Sequence, residues 1–169
     1  MDQKGSMIPI PEPLKEIISF TIQMRNEMPS EVPIPAILVR VMQNAKGEQV
    51  RQVDFLTMHD GGKDMFSSLV KHVLKTSKPD YYAFITEGWY KEIEQKDIDA
   101  EDPISRGLIK GEIQVSMLPD RKEMLAITFG DGTYEALARA DIIDGKVIEE
   151  PTHGMPSHGE GRFTHLYHK

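Results

Sequence analysis

Not one cysteine occurs among the 169 residues, which removes disulfides, thiolate zinc sites, iron–sulfur clusters and cysteine nucleophiles at once. No apolar run approaches the roughly 20 residues that a membrane-crossing helix needs, and the opening Met1-Asp2-Gln3-Lys4-Gly5-Ser6 has no apolar stretch of the kind a secretion signal carries. We therefore expect a cytoplasmic protein with no membrane contact. Positive charge is in short supply: 20 Lys and Arg face 27 Asp and Glu, a formal balance of −7. Nucleic-acid backbones are held by arrays of cations, so nucleic acid is not expected as the main partner. The one local candidate, Lys71, Lys75 and Lys78 with Arg40, has no interleaved aromatics to stack on bases. Chemical motifs are sparse as well. There is no Gly-x-Ser-x-Gly, and Gly61-Gly62-Lys63-Asp64 has neither the length nor the Lys-Ser/Thr ending of a phosphate loop. No cofactor is expected.

What the chain does have is 39% hydrophobic and 28% charged residues, enough for one core in one domain of this length. Pro9, Pro11 and Pro13 lead into a helix over 12–28, where Leu14, Ile17, Ile18, Thr21, Ile22, Met24 and Met28 recur at spacings of three and four. Pro29, Pro33 and Pro35 then hold the chain extended up to Ala36. Ala36 to Met42 and Gln49 to Leu56, joined by Asn44-Ala45-Lys46-Gly47, form a β-hairpin whose second arm has no cleanly apolar face and therefore suits an edge. Lys63 to Lys75 carries the strongest helical stripe, with Met65, Phe66, Leu69, Val70, Val73 and Leu74. Tyr81 to Ile85 is apolar on both alternations and belongs at the centre of the sheet. A hairpin over Glu112–Met117 and Glu123–Phe129 follows, then Thr133–Ile142, and Asp144-Gly145 turns into a short Lys146–Glu149 arm.

This order gives an α+β fold in a single domain, with a mainly antiparallel sheet of about six or seven strands and two helices packed on one side. Residues 11–150 form the domain. Residues 1–10 are expected to be a flexible tail, and 151–169, rich in His, Gly and Pro, a second one. The polar stretch 91–110 reads as a functional or mobile loop.

Phe84-Ile85-Thr86-Glu87-Gly88-Trp89, followed some thirty residues later by Pro119-Asp120-Arg121-Lys122-Glu123 and a strand, resembles a group of small prokaryotic and phage proteins. In these a strand ending in Ser/Thr-Glu-x-Trp precedes a Pro-Asp-Arg hairpin. The resemblance covers about residues 36–142. It implies a shared α+β fold with no established activity, and it transfers no catalytic residue.

Several constellations bear on function. If the strand Gln49–Leu56, the helix after it and the strand from Tyr81 form a right-handed crossover, the two strands run parallel and their ends share one rim. That rim would gather His59, Asp60, Thr86, Glu87 and Trp89 beside the Gly61-Gly62 start of the helix, where free amides attract anions. Arg106, next to Ser105, could add an anion-binding fork, and His59 with Glu87 could act as a base pair. Equally, Asp60 could cap the helix, Glu87 could pair with a Lys or Arg, and Trp89 could cover the core. His153, His158, His165 and His168 could ligate a metal, but their spacings of five, seven and three match no compact zinc pattern. Asp97-x-Asp99-x-Glu101 opens like a calcium loop, yet Asp102 stands where the loop needs Gly, Pro103 occupies position seven, and Leu108 stands where the bidentate Glu belongs. It is a solvated acidic stretch.

With no complete catalytic set present, the expected function is that of a non-catalytic module that binds a protein partner or assembles as a homo-oligomer. An edge hairpin, an acidic loop and a His-rich tail are the surfaces available for it. The alternative is a small-molecule or metal-dependent enzyme with its site at the rim of His59, Asp60, Glu87 and Trp89.

Overall fold

Pro11 and Pro13 start the first long helix rather than break it, because the missing amide and fixed φ of proline suit a first turn. Helix α1 (Glu12–Glu27) follows a two-residue strand β1 (Ile8–Pro9) and ends where the Met28 amide closes on the Met24 carbonyl, just before Pro29. The computed structural model describes residues 7–57, 63–157 and 164–169. Its further elements are β2 (Ala36–Gln43), β3 (Gln49–Leu56), α2 (Lys63–Ser77), β4 (Tyr81–Tyr90), α3 (Gln95–Asp99), α4 (Pro103–Ile109), β5 (Lys122–Gly130), β6 (Glu135–Ile143), β7 (Lys146–Val147) and β8 (His153–Pro156). Four helices and one antiparallel sheet thus make a single α+β domain among the described residues.

The strand order is β1-β8-β6-β5-β4-β2-β3, with β7 attached to β6. Strand β4 is central, between β2 and β5, and β3 lies at an edge, as the apolar and mixed patterns predict. The expected Asp144-Gly145 turn joins β6 to β7, with both residues at positive φ (52° and 77°). A Cβ on Gly145 would lie 2.3 Å from the Ser30 side chain, so glycine is needed there for close approach as well as for the turn.

Alternation along the strands sorts the core into two layers. Ile37, Val39, Val41, Ala83, Ile85, Leu125, Ile127 and Phe129 pack with Leu14 and Ile18 of α1. Leu38, Tyr82 and Phe84 pack with Val70 and Leu74 of α2 on the other face. The two long helices therefore cover opposite faces, which corrects the expectation that both lie on one side. Strands buried on both faces require cover on both faces, and the double apolar alternation of Tyr81–Ile85 already carried that information. Met65 and Leu69, included in the α2 stripe, remain exposed.

Three other expectations change. Val115–Met117 is a single 3₁₀ turn rather than the first arm of a hairpin, and β5 pairs with β4 and β6 instead. Residues 91–110 contain α3 and α4, the latter capped by the Asp102 carboxylate on the Ser105 amide at 2.9 Å. Finally, both expected tails contribute to the domain. Ile8–Pro9 pairs with Gly154 and His153, Met155 pairs with Leu137, and Leu166 and Tyr167 are buried beside Tyr82. No helix among the described residues is long and apolar enough to cross a membrane.

Candidate functional site

The geometry of the expected rim differs from a simple strand–helix–strand unit. Strands β3 and β4 do run parallel, but antiparallel β2 lies between them: Ala36 pairs with Leu56 on one side, and Ile37 pairs with Ile85 on the other. Their ends still reach one border, two strand spacings or roughly 10 Å apart. His59 and Asp60, with Gly61-Gly62, lie outside the described residues. Strand β4 also continues through Tyr90, so Thr86, Glu87 and Trp89 are strand residues and not a loop at the strand's end. Period-two alternation then separates them. Glu87 and Trp89 share the α1 face with Ile85, whereas half-buried Thr86 lies on the α2 face with Phe84.

Glu87 is held by the end of α1. Arg25 lies in that helix's last turn and is 1% exposed. Its Nη1 donates to Glu87 Oε1 at 2.5 Å and to the Val32 carbonyl at 2.8 Å, while Nη2 donates to the Pro29 carbonyl at 2.6 Å. The Ile34 amide adds a longer bond of 3.3 Å to the same carboxylate oxygen. A cation at a helix C-terminus is favourable in itself, and here it also folds the proline-rich segment 29–34 back over the border. The ion-pair alternative expected for Glu87 is the arrangement found.

That segment walls two adjoining hollows that share Ser30, Glu31, Glu123 and Ile142. The smaller, about 390 Å³, runs past Glu87, Gly88 and Trp89; the larger, about 700 Å³, runs past Tyr90, Arg121, Lys122 and Asp141 to the Asp144-Gly145 turn. Strand pairing brings these residues together, since Trp89 lies opposite Glu123, Tyr90 opposite Lys122, and Glu123 opposite Ile142. Trp89 is 46% exposed, with the Arg121 guanidinium 5.2 Å from the centre of its ring. On the other face Arg139 lies 4.3 Å and Lys122 5.9 Å from the ring of Tyr90. The Tyr90 hydroxyl donates to Asp141 at 3.0 Å. Desolvation and then that carboxylate push its phenol above the ordinary value.

The excursion from Lys91 to Asp120 is closed at its neck by an ion pair between those two residues. Their hydrogen bond raises the lysine pKa and lowers that of the aspartate. Arg121 follows directly, with its Nη1 on the Leu118 carbonyl at 3.1 Å. Arg106, on α4, pairs with Glu101 at 3.9 Å and lines neither hollow. Arg40 is 9% exposed and bonded to Asp54 at 3.1 Å, which removes it from any basic surface patch. Of the histidines, His158 lies outside the described residues. His153 is in β8, while the His165 amide and His168 Nδ1 contact Glu135 and the Gly132 carbonyl beyond the far end of that strand. Among the described residues no three of His, Asp and Glu are grouped to hold a metal.

Sequence reasoning thus located Glu87 and Trp89 but missed Arg25, Tyr90 and Asp141, and Arg121 and Glu123 enter it only as part of the Pro-Asp-Arg hairpin motif. A signal existed for Arg25: a cation in a last helical turn before a proline cluster is placed to cap carbonyls and seek a carboxylate. No family model matches the chain, and neither any curated protein nor any solved structure matches it significantly.

Proposed function

We propose that the protein is a non-catalytic binding module, acting in the cytoplasm, that holds a protein partner at the hollow beside Trp89. One observation carries this reading: the chain's one tryptophan is about half exposed beneath an arginine at the lip of an open hollow. Trp, Tyr and Arg are the residue types in which protein-binding energy concentrates, and Trp89, Tyr90, Arg121 and Arg139 all stand along this border. No carboxylate lies within 4 Å of Arg121 among the described residues, so an acidic group of the partner fits against it. An enzyme at the rim is the weaker reading, because Glu87, the carboxylate it would use, is already engaged by Arg25 and the Ile34 amide. Nucleic acid is weaker still, given the net charge of −7.

Trp89 supplies its own reporter, since the intrinsic tryptophan fluorescence of the chain comes from this residue alone. Partners captured on immobilised full-length protein should be lost on Trp89→Ala and weakened on Arg121→Glu, and a purified partner should shift the fluorescence on titration. A partner retained equally by Trp89→Ala, with no spectral change, would overturn the proposal.

A further inference from the structure

Among the described residues strand β3 ends the sheet and pairs only with β2. Its hydrogen-bonding parity follows from the hairpin. The Asn44 amide donates to the Glu48 carbonyl at 2.9 Å, and on the other side of β2 the Val41 carbonyl accepts from the Asp80 amide at 2.8 Å. Counting by twos, Val50, Gln52, Asp54 and Leu56 turn their backbone groups towards β2, and Gln49, Arg51, Val53 and Phe55 turn theirs outward. This edge spans eight residues with no proline, and the described residues place no element over it. Phe55 is 53% exposed and Val50 39%. Glu16 of α1 reaches Arg51 at 2.8 Å, so Phe20, one turn further along the same helix face and 49% exposed, overlooks the same edge. Edges left in this state are templates for another strand.

We propose that the strand which completes this edge is β3 of a second copy, paired antiparallel about a two-fold axis at Val53. The choice of occupant rests on self-complementarity. A two-fold antiparallel pair must match outward residues with outward residues, which leaves four central registers. Centring on Arg51 sets two arginines face to face, and centring on Asp54 sets two aspartates so; like charges directly opposite are unfavourable. Centring on Gln52 puts Arg51 against Val53 and Asp54 against Val50, which leaves both charges opposite apolar groups. Centring on Val53 matches every position: Val53 meets Val53, Arg51 meets Phe55, Gln52 meets Asp54 and Val50 meets Leu56. Each cross-pair occurs twice, as an isologous interface requires. Arg51 against an aromatic ring adds a cation–π contact. The existing Arg51–Glu16 bridge is exposed on both sides and does not oppose it. The product is one continuous sheet across two subunits, built on a different surface from the Trp89 hollow.

The chain's lack of cysteine makes the register testable by single substitutions. Sedimentation velocity of the full-length protein should show a dimer. Phe55→Pro deletes an outward amide without touching the β2 ladder, and should give a monomer with an unchanged circular dichroism spectrum. If that variant loses its spectrum, Phe55→Lys sets a lysine opposite the partner's arginine at two places and should weaken the dimer roughly tenfold. Under mild oxidation Val53→Cys should form a covalent dimer, because the two-fold brings that position onto itself within disulfide range, and Gln52→Cys should not. A monomer at all concentrations would overturn the proposal. So would a dimer indifferent to both Phe55 variants, or one that cross-links through position 52 rather than 53.

Discussion

Glu87 and Glu135 stand at opposite borders and on opposite faces of the same sheet, and each gathers in a stretch of chain from outside it. Glu87 receives the buried Arg25 guanidinium and the Ile34 amide, which fixes residues 29–34 over the Trp89 border. Glu135 receives the Tyr82 hydroxyl at 2.8 Å and the amides of His165 and Leu166 at 2.7 and 2.8 Å, which fixes the last residues against the α2 layer. Among the described residues the first carboxylate is matched by a charge and the second by neutral donors alone. That difference sets what each costs to break. A neutral donor deprived of its acceptor loses a hydrogen bond and is left desolvated, whereas a deprived buried cation leaves a whole charge uncompensated.

Glu87→Ala should therefore cost the most. Among the described residues it leaves Arg25, 1% exposed, with only two backbone carbonyls as acceptors and an Nε that already has no partner. We expect a loss of about 3–5 kcal/mol in chemical denaturation. The double variant Arg25→Met, Glu87→Leu should recover much of that loss, because an apolar pair of similar volume needs no compensation. If the double variant is as unstable as the single, the charge pair is not the source of the cost. Glu135→Ala should be milder, about 1–3 kcal/mol, for the stranded phenol and two amides. Its distinguishing sign is local: hydrogen exchange at the His165 and Leu166 amides should accelerate while exchange in α1 stays slow. Equal losses for both carboxylates would remove the distinction drawn between them.

Neither clip was visible as a pair in the sequence, although one member of each sat in a legible place. Helix α1, the β2–β3 hairpin, the edge character of Gln49–Leu56 and the Asp144-Gly145 turn all follow from local rules of spacing, proline placement and turn chemistry. Those rules act within a few residues. Arg25 and Glu87 lie 62 residues apart and Tyr82 and Glu135 lie 53 apart, separations over which only strand order decides who meets. The same limit explains the hollow. Glu87 and Trp89 were found because they sit in one short motif, whereas Glu123, Arg121 and Asp141 join them through pairing with β5 and β6. Adjacency groups Thr86 with its neighbours, whereas alternation sends it to the other face. Val115–Met117 misled for a related reason: apolar residues at alternate positions fit a strand pattern, and a single 3₁₀ turn has too few residues to signal itself. The Gly and Pro content of the last residues predicts a tail. Leu166 and Tyr167 are nevertheless held by a carboxylate that composition cannot reveal.

The neutral clip differs from the charged one in a further respect, its dependence on pH, and Tyr82→Phe tests it with the smallest perturbation. Burial first, and then the Glu135 carboxylate, raise the Tyr82 phenol well above the ordinary 10.0 of a tyrosine. The folded protein therefore keeps this proton at pH values where the unfolded chain has released it. With the folded pKa raised, the contribution to stability is complete below about pH 10 and is lost progressively as the pH rises beyond that. The substitution removes one hydrogen bond, so at neutral pH we expect a loss of about 1 kcal/mol. Above pH 10 the decline in melting temperature should be shallower than in the unsubstituted protein, with a residue of slope from Tyr134 and Tyr90, whose phenols desolvation also raises. An alkaline decline of the same steepness in Tyr82→Phe would mean that this proton is not what couples the C-terminal clip to pH. Glu135 would then hold the chain end through its two amide bonds alone.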